Sequence, residues 1–479
     1  MKTQIYFAAV SGFLVLCAFS ANAMTLEQYL ETVQNKNRTF SSLRASKEAG
    51  NLRYMQGDLE LSPQLTAQGS YLDDKGISYT TSGTVDHNQV RQYSLGLGKK
   101  FSTGTQIQVQ GSIQAANAEG TTASGTFANE THTGTVGVSL SQSLWKNFFG
   151  EATRLRWERE SAQRGLEVGG YDLQLKQSLS EAEAAFWDLI YLQQELEIRR
   201  SGLERAHKIE TWVKKRLNNG IGDRSDALNA QGLTASRELQ LLATQDELVA
   251  AQKKVADQLE LSTAEQLPPL EANLKIPRSD WGQNLKSGQG RVVRLDSYLA
   301  VLEARAKSVA AKESKDQLRP DLTLEGQYKT NGYDTDDSSA WRRATEKDHP
   351  VSAISLKLTW LLDWETKDGV RTAAQRDALA AKLKKERKLL EGESAWSELQ
   401  RRHQELNKKI LAAQKMSEVQ NQRASVEREL LSRGRSITSQ VITAEQDADE
   451  AELSLTKLRA EQRKLESQSR LFVKLEDEI

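Results

Sequence analysis

The chain has little cysteine, little proline and no long apolar run beyond its first residues. Of its 479 residues, one is cysteine (Cys17) and six are proline. A chain without paired cysteines has no disulfides, and one without an accessible thiol has no thiolate chemistry. Few prolines favour long helices, because proline breaks a helix. After Ala23 no run of about 18 apolar residues occurs, so no transmembrane helix is predicted.

Charge and reactive side chains point away from several functions. Lys+Arg and Asp+Glu are equal at 65 each, which gives no reason to expect nucleic acid as a partner. The five histidines are scattered, without a pair at metal-ligand spacing: His87, His132, His207, His349 and His403. Gly96 and Gly98 lie in a predicted strand and do not begin a phosphate-binding turn. We therefore expect no catalytic residue, no cofactor and no metal site, and a protein that is not an enzyme.

The N-terminus has the pattern of a cleaved secretory signal. Lys2 supplies a positive charge, Ile5 to Phe19 is mostly apolar, and Ala21-Asn22-Ala23 is a small-x-small cleavage site. A membrane anchor is the alternative, but the run is short for a membrane span. Cleavage after Ala23 would also remove Cys17. If the exported chain crosses a membrane, it must do so as β-strands.

One strand motif occurs twice. Pro63 to Tyr71 and Pro320 to Tyr328 both fit Pro-x-Leu-Thr-x-x-Gly-x-Tyr. In each copy polar residues alternate with apolar or small ones, which indicates a strand with two differently solvated faces. Each copy follows a helix-like segment that proline ends. The repetition predicts that the chain consists of two related halves.

Other stretches alternate in the same way. Strands are predicted near 63–72, 92–101, 105–115, 133–144, 320–329 and 351–362, with polar loops at 73–90, 117–132 and 331–350 and a tight turn at 102–104. The first and third strands are followed by long loops and the second by a short turn, an asymmetry typical of outer-membrane β-barrels. Polar positions such as Gln106, Gln108, Gln110 and Lys357 favour a water-filled interior.

Aromatic residues cluster at the ends of the predicted strands. Trp145, Phe148 and Phe149 follow one strand, and Trp360 and Trp364 flank the end of another. Near the opposite rim we expect a second group: Tyr71, Tyr93 and Tyr328. Such clustering favours two interfacial belts over ordinary core aromatics.

Very long helices are predicted between the strands. The longest, 151–217 and 366–431, would each extend about 100 Å. Each nearly equals the summed length of two shorter helices, 38–61 with 223–261 and 291–318 with 437–473. Two short helices stacked end to end beside a long one would form a wall of constant height. Apolar seams at steps of four and three, Leu175 to Leu196 and Ile437 to Leu458, are typical of coiled coils.

Two short interruptions of the helices have matching sequences. They are Gly220-x-Gly222-x-x-Ser225-x-x-Leu228-x-Ala230 and Gly434-x-Ser436-x-x-Ser439-x-x-Ile442-x-Ala444. Each predicts a helical hairpin tip, with glycine as the cap and a polar residue beginning the next helix. An ordinary helix-turn-helix connection would explain one such tip, but not two tips at equivalent places. The predicted division is a signal peptide at 1–23, a first repeat at 24–262, an irregular linker at 263–290 and a second repeat at 291–479.

The doubled strand, the doubled tip and the segment SQSLWKNFFG at 141–150 resemble the TolC-like outer-membrane efflux proteins, the outer membrane factors of tripartite export systems. The resemblance covers the mature chain. It implies an α+β membrane protein of two structural repeats that forms a homotrimer, with an outer-membrane β-barrel continued by a long α-helical coiled-coil barrel across the periplasm. About four to six strands would come from each protomer.

The same resemblance implies a function and a location. The protein would be an exit duct for efflux or type I secretion in the outer membrane of a Gram-negative bacterium, surrounded by outer-membrane lipid. A periplasmic adaptor protein and an inner-membrane RND, ABC or MFS pump would dock at its helical end. The exported substrate is not readable, because drug, metal and protein export share such a duct.

Residue roles are implied in the same way. The hairpin tips would contact the adaptor through Gly220, Gly222, Ser225, Gly434, Ser436 and Ser439. Some relatives carry an acidic ring in the closed periplasmic mouth, where this chain has Gln440 and Thr443. Asp447 lies one turn further on the same face, so a displaced ring and an ordinary solvated carboxylate both stay open. Ser143 and Leu361 stand where the family usually has proline.

The sequence leaves two alternatives open. The hairpin at 92–115 adds two strands to the usual four per protomer; within the wall it would give about 18 strands in three protomers, and otherwise it would project outside. Its clean alternation favours the wall.

The alternative function is a coiled-coil envelope spacer, anchored in the outer membrane without transport. An envelope enzyme is a third possibility, for which the sequence offers no site.

Overall fold

Long helices dominate the chain, as its few prolines predict. The computed structural model describes residues 23–276, 281, 285 and 291–475, so residues 1–22 of the predicted signal and most of the linker after 276 lie outside the described residues. The helices are α1 (Leu26–Lys36), α2 (Arg38–Arg53), α3 (Glu151–Asn218), α4 (Arg224–Gln258), α5 (Leu295–Gln317), α6 (Asp337–Thr345), α7 (Trp364–Ser432) and α8 (Thr438–Ser467). With 68 and 69 residues, α3 and α7 confirm the two longest predicted helices.

Helix ends follow local chemistry. Thr25 and Gln28 form a capping box at the start of α1, where each side chain bonds the other's backbone N–H. Asn37 ends α1 as its C-cap. Three predicted ends are wrong. The helix predicted at 38–61 is α-helical only to Arg53 and continues as a 3-10 helix, Tyr54–Leu61. The predicted helix at 291–318 begins as strand β6 (Arg291–Arg294), and the last helix ends at Ser467, followed by a 3-10 turn and β9 (Phe472–Leu475) rather than continuing to 473.

The remaining strands form one antiparallel sheet. They are β1 (Gln64–Asp74), β2 (Ser78–Thr80), β3 (Gly83–Lys100), β4 (Thr105–Thr122), β5 (Gly125–Ser143), β7 (Asp321–Asp334) and β8 (His349–Thr359). The order is β1-β3-β4-β5-β7-β8, with β2 paired to β3. The hairpin predicted at 92–115 corresponds to β3 and β4, which lie between β1 and β5. It is therefore part of the sheet and does not project from it.

Three predicted loops are largely wrong. Residues 73–90 contain the end of β1, all of β2 and the start of β3, while 117–132 contain the end of β4, the turn at Ala123 and Ser124 and the start of β5. Residues 331–350 contain the end of β7, helix α6 and the start of β8. The strands continue there because backbone hydrogen bonds do not depend on side-chain polarity. An alternating apolar pattern marks only the part of a strand that has an apolar face.

The chain divides into two compact units. A helical unit comprises Met1–Arg44, Leu173–Val292 and Ser394–Ile479, and a sheet unit comprises Ala45–Asp172 and Val293–Glu393. Each unit takes segments from both predicted repeats, and the division into repeats stays a prediction.

The core of the helical unit follows the predicted seams. Ala182, Phe186 and Leu189 of α3 are fully buried against Tyr29 and Val33 of α1. In the second seam the buried residues are Val441, Ala444, Ala448, Ala451 and Leu455 of α8. Small residues in this seam allow helices to approach closely, while Ile437 at its start is exposed. Within the described part of the chain, none of the helices combines the length and the apolar character needed to cross a membrane.

Candidate functional site

The six long strands give the sheet one apolar and one polar face. Cross-strand partners project to the same side of a sheet, so the register assigns each residue to a face. The apolar face carries exposed Leu65, Tyr71, Tyr93, Leu95, Leu97, Val109, Val138, Leu140, Tyr328, Ile354, Leu356 and Leu358. The polar face carries Gln106, Gln108, Gln110, Ser139, Ser141, Glu325, Gln327, Lys329 and Lys357. The four polar positions expected to line an interior therefore share one face.

Exposure on the apolar face is large. Ile354 is 84 % exposed and Leu65 is 70 % exposed. Contiguous apolar surface of this extent is rare on proteins in water and marks contact with another protein or with lipid. The opposite face is rich in amides and hydroxyls that water can solvate. The sheet unit thus has the surface chemistry of a wall between an apolar phase and water.

Both edges of the sheet lack a partner strand within the described chain. β1 and β8 are exposed along their whole length, and open edges of this length pair readily with other strands. Because neighbouring strands are antiparallel, the six strands alternate in direction and the two edge strands run oppositely. The β8 edge of one copy could therefore pair antiparallel with the β1 edge of another.

A polar cavity of about 930 Å³ lies at the helix-proximal end of the polar face. Gln106, Ser141 and Glu325 form one row of its lining, and Arg156 and Glu313 contribute charges of both signs. This mixed polar lining favours bulk-like hydration over capture of one apolar ligand.

Aromatic residues lie at the same end of the strands. Trp145, Phe148 and Phe149 follow β5, and Trp360 and Trp364 surround the turn from β8 into α7; all five are exposed. The indole rings of Trp360 and Trp364 meet edge to face, with centroids 5.2 Å apart. Their position suits an interfacial belt, and that role stays a prediction.

The two hairpin tips have the same backbone geometry. Gly220 and Gly434 adopt left-handed φ values of 73° and 72°. Gly220 N–H donates to Leu217 O at 3.0 Å and Ile221 N–H to Arg216 O at 3.1 Å; Gly434 and Arg435 repeat both bonds, at 3.0 and 2.8 Å. These are Schellman caps, which end a helix by satisfying its last carbonyls. The predicted glycine caps are therefore confirmed at both tips.

The starts of the following helices differ. Asp223 caps α4 by accepting from Ser225 N–H at 3.0 Å. At the second tip the N-cap is Ile437, without a side-chain hydrogen bond, so the expected polar N-cap is wrong there. Ser436 donates instead to Glu427 at 2.6 Å, Ser439 O accepts from Thr443 Oγ1, and Gly222 packs against Leu217 N. The tip residues are thus held mainly by local bonds.

The tip glycines allow a direct test of the cap. A Cβ at either Gly220 or Gly434 would meet nothing within 4 Å, so Gly220→Val and Gly434→Val impose backbone strain alone, about 1–2 kcal/mol each. We expect each variant to lower the thermal midpoint of unfolding, measured by circular dichroism. Gly232→Ala is the control, because Gly232 lies inside α4 in open space. An unchanged thermal midpoint in both valine variants would contradict the role of Gly220 and Gly434 as left-handed helix caps.

A buried charge cluster ties four helices together below the tips. Arg205 of α3 pairs with Glu445 at 2.7 Å and with Asp449, both on α8. Arg237 of α4 pairs with Asp449 at 2.9 Å, and Arg428 of α7 with Glu445 at 2.8 Å. Burial lowers the pKa of the Arg237 guanidinium, and the Asp449 carboxylate opposes this shift. Sequence reasoning missed the cluster because its members are five ordinary charged residues spread over four helices.

The proposed gate residues have partners of their own. Asp447 pairs with Arg423 at 2.9 Å, and both side chains are substantially exposed. Gln440 Oε1 lies 3.3 Å from Ser436 Oγ, and Thr443 donates to Ser439 O at 3.0 Å. Asp447 is therefore neutralised by a cation of its own chain. The residues that the structure describes contain no group of three or more His, Cys, Asp and Glu placed to hold a metal ion.

Comparison with known proteins gives structural relatives only. No protein-family model and no curated protein matches the chain. The outer membrane protein VceC of Vibrio cholerae superposes with a TM-score of 0.67 at 14 % identity, over 93 % of this chain and 95 % of VceC. The MtrE outer membrane channel of Neisseria gonorrhoeae, in its open state, gives 0.63 at 15 % identity over 93 % and 87 %, and the CmeC channel of Campylobacter jejuni 0.62 at 12 % over 93 % and 85 %.

The chain therefore has the fold of these outer-membrane channels. The TolC-like resemblance predicted from the sequence is confirmed at the level of the fold. Identities of this size establish the architecture alone, and function is argued from the surfaces described above.

Proposed function

We propose that the protein is an outer-membrane exit duct that passes substrate from an inner-membrane pump and a periplasmic adaptor to the outside. The sheet with one apolar face, one polar face and two open edges carries this proposal. The apolar face contacts lipid, the polar face lines an aqueous lumen, and the edges pair between copies to close a barrel. A membrane-spanning barrel requires all three features together, whereas a water-soluble sheet does not.

Three copies would close the barrel with about 18 strands, a number at which barrels leave an aqueous channel. The antiparallel relation between the β8 and β1 edges supports closure, because it keeps the strand directions alternating around the ring. The hairpin β3–β4 contributes two of the six long strands of each copy. It would widen the barrel relative to one built from four strands per copy.

The hairpin tips are the proposed contact with the adaptor. A pocket of about 190 Å³ below them is lined by Ile209 and Trp212 of α3, Leu431 of α7 and the cations Arg205, Lys208 and Arg428. The three cations are already paired with Glu204, Glu445 and Asp449, so the apolar floor is the part that fits the apolar face of an amphipathic helix. Gln440, Thr443 and Asp447 are proposed to face the periplasmic mouth.

Adjacent residues on β4 test the assignment of faces. Val109→Arg places a cation on the apolar face and is expected to cost about 2–4 kcal/mol near the bilayer midplane. Gln108→Arg places the same charge on the polar face, where water solvates it. We expect Val109→Arg to reduce membrane insertion of the folded oligomer, and Gln108→Arg to insert normally and shift ion selectivity towards anions. Equal insertion of both variants would refute the two-faced barrel.

Ion conductance separates the duct from the envelope spacer. Purified protein in a planar bilayer should give discrete conductance steps, whose selectivity Gln108→Arg changes. A spacer would insert without conductance, and no change in selectivity could then be observed. The polar face favours the duct, because a spacer without a lumen would bury its amides and charges at a cost.

A further inference from the structure

Helix α6 lies on the apolar face of the sheet, in a cradle made by three glycines. A Cβ at Gly134 would lie 2.5 Å from Ala340 O, and one at Gly111 would lie 2.6 Å from the Trp341 ring. At Gly332 a Cβ would overlap Ala340 O and Ala344 N. Gly111, Gly134 and Gly332 belong to β4, β5 and β7, and all three lie on the apolar face. Glycine is required here because the helix backbone rests directly on the strands.

Polar contacts fix both ends of α6. Asp336 caps its N-terminus by accepting from Ser339 N–H at 3.0 Å, and Asp337 pairs with buried His132 of β5 at 2.6 Å. At the C-terminal end Thr330 of β7 donates to Ala344 O, and Arg343 pairs with Asp334 at 3.0 Å. The helix is therefore a fixed part of the sheet unit.

The position of α6 along the strands coincides with a change in side-chain chemistry. Nearer the α3 and α7 ends, the apolar face presents rows such as Leu97, Val109, Val138 and Tyr328. At the far end, the row containing Arg91, Ala115, His132 and Asp334 introduces charge on the same face. α6 covers the glycine rows between them. It thus marks the boundary of the apolar band.

The surface of α6 presents a free cation and part of an aromatic ring whose edge packs over Gly111. Ala340 and Ala344 are fully buried, and at 3.6 residues per turn Arg342 lies on the opposite side. Arg342 is exposed and forms no ion pair with the residues that the structure describes. Trp341 remains 39 % exposed beside it. The nearby Asp334, Asp336 and Asp337 are already engaged by Arg343, the N-cap and His132, while Glu346 and Asp348 follow the helix.

We propose that α6 is an interfacial helix that seats in the headgroup layer of the outer leaflet, where Trp341 occupies the interface and Arg342 binds the phosphate of an anionic lipid. This inference rests on the proposed function, because it requires the apolar face to lie in a bilayer. Tryptophan prefers the interface, and arginine is suited to phosphate. A helix fixed at this level sets the depth of the barrel in the membrane.

Contact with a second copy is the less suitable explanation. α6 rests on β4, β5 and β7, in the middle of the strand order, whereas copies would pair through β1 and β8. A lumenal plug is also disfavoured, because the glycine cradle lies on the apolar face and not on the polar one.

Spin-label depth measurements test the seat of the helix. The experiment uses the full chain with Cys17→Ser, reconstituted in vesicles of phosphatidylcholine and phosphatidylglycerol, with a nitroxide at one introduced cysteine: Ser338→Cys on α6, Ile354→Cys on the apolar face or Ser112→Cys on the polar face. We expect residue 354 in hydrocarbon, 112 in water and 338 at headgroup depth. Residue 338 in water with 354 in hydrocarbon would overturn this proposal alone. Residue 354 in water would overturn the proposed function as well.

Lipid binding tests the role of Arg342. Native mass spectrometry should show phosphatidylglycerol retained in preference to phosphatidylcholine, and Arg342→Gln should lower that retention by about fivefold. Arg342→Lys should keep most of it. Lys382→Gln, which removes an exposed cation from α7, is the matched control and should change nothing. Equal retention by Arg342→Gln and the unaltered protein would remove phosphate binding from the proposal.

Discussion

Asp449→Ala is expected to lower the free energy of unfolding by about 3–5 kcal/mol, because it leaves buried positive charge without its partner. The Asp449 side chain is 5 % exposed and contacts Arg205 and Arg237, of which Arg237 is itself only 7 % exposed. Glu445 still neutralises Arg205 after the substitution, but no other carboxylate contacts Arg237 within the described residues. The cost therefore arises mainly at Arg237. Thermal and denaturant unfolding of the full chain, followed by helical circular dichroism, would measure it.

Asp447→Ala provides a control two positions away on the same helix. It also replaces an aspartate inside α8 by alanine. The ion pair that it breaks is exposed, however, because Arg423 is 47 % exposed and Asp447 is 37 % exposed. Exposed ion pairs contribute about 0–1 kcal/mol. Nearly equal losses of unfolding free energy in the two variants would show that any loss of charge from α8 is destabilising. The buried cluster would then contribute no more than the exposed ion pair.

Gly150→Val is expected to prevent folding of the sheet unit or to destabilise it by more than about 4 kcal/mol. Gly150 ends the turn from β5 into α3 and adopts φ +82°, a left-handed conformation that valine strongly disfavours. A Cβ there would overlap the Ser102 carbonyl oxygen and lie 2.8 Å from its carbon. Since the obstacle is backbone of the β3–β4 turn, no side-chain movement relieves it. The readout is the yield of folded protein.

Gly326→Val is the corresponding control in the same unit. Gly326 lies in β7 in extended conformation, and a Cβ there would meet nothing within 4 Å. Valine favours strands, so this variant should fold at least as well as the unaltered chain. A comparable loss of yield from Gly326→Val would mean that strands tolerate no added side chain, and that the turn at Gly150 is not specifically responsible.

The sequence predicts those parts of the fold whose side chains report their surroundings. The seam from Leu175 to Leu196 and the glycine caps at Gly220 and Gly434 could be located because burial and left-handed backbone each select residue types. The faces of β4 could be assigned because Gln106, Gln108 and Gln110 alternate with apolar residues. Each of these signals is local and reflects one physical constraint.

What the sequence does not reveal depends on long-range contact. The far halves of β4 and β5 mix polar residues with alanine, glycine and Phe127, so their hydrogen-bonded register leaves no regular alternation of large apolar and polar residues. Helix α6 could have been suspected from Asp336 as an N-cap and from Ala340 and Ala344 one turn apart, but its seat depends on Gly111, Gly134 and Gly332 meeting across three strands. The cluster around Asp449 likewise exists only once four helices are assembled.

The hairpin of β4 and β5 extends well past the level of α6. Its pairs continue from Ala116↔Thr131 to Thr122↔Gly125, beyond the row in which the apolar face becomes charged. If that face lies in the bilayer, this part of the hairpin projects from the cell surface, with its turn at Ala123 and Ser124 farthest from the membrane. Antibodies, bacteriophages and extracellular proteases would then meet this part of the molecule first, and selection by them would act on side chains that neither the lumen nor the lipid constrains.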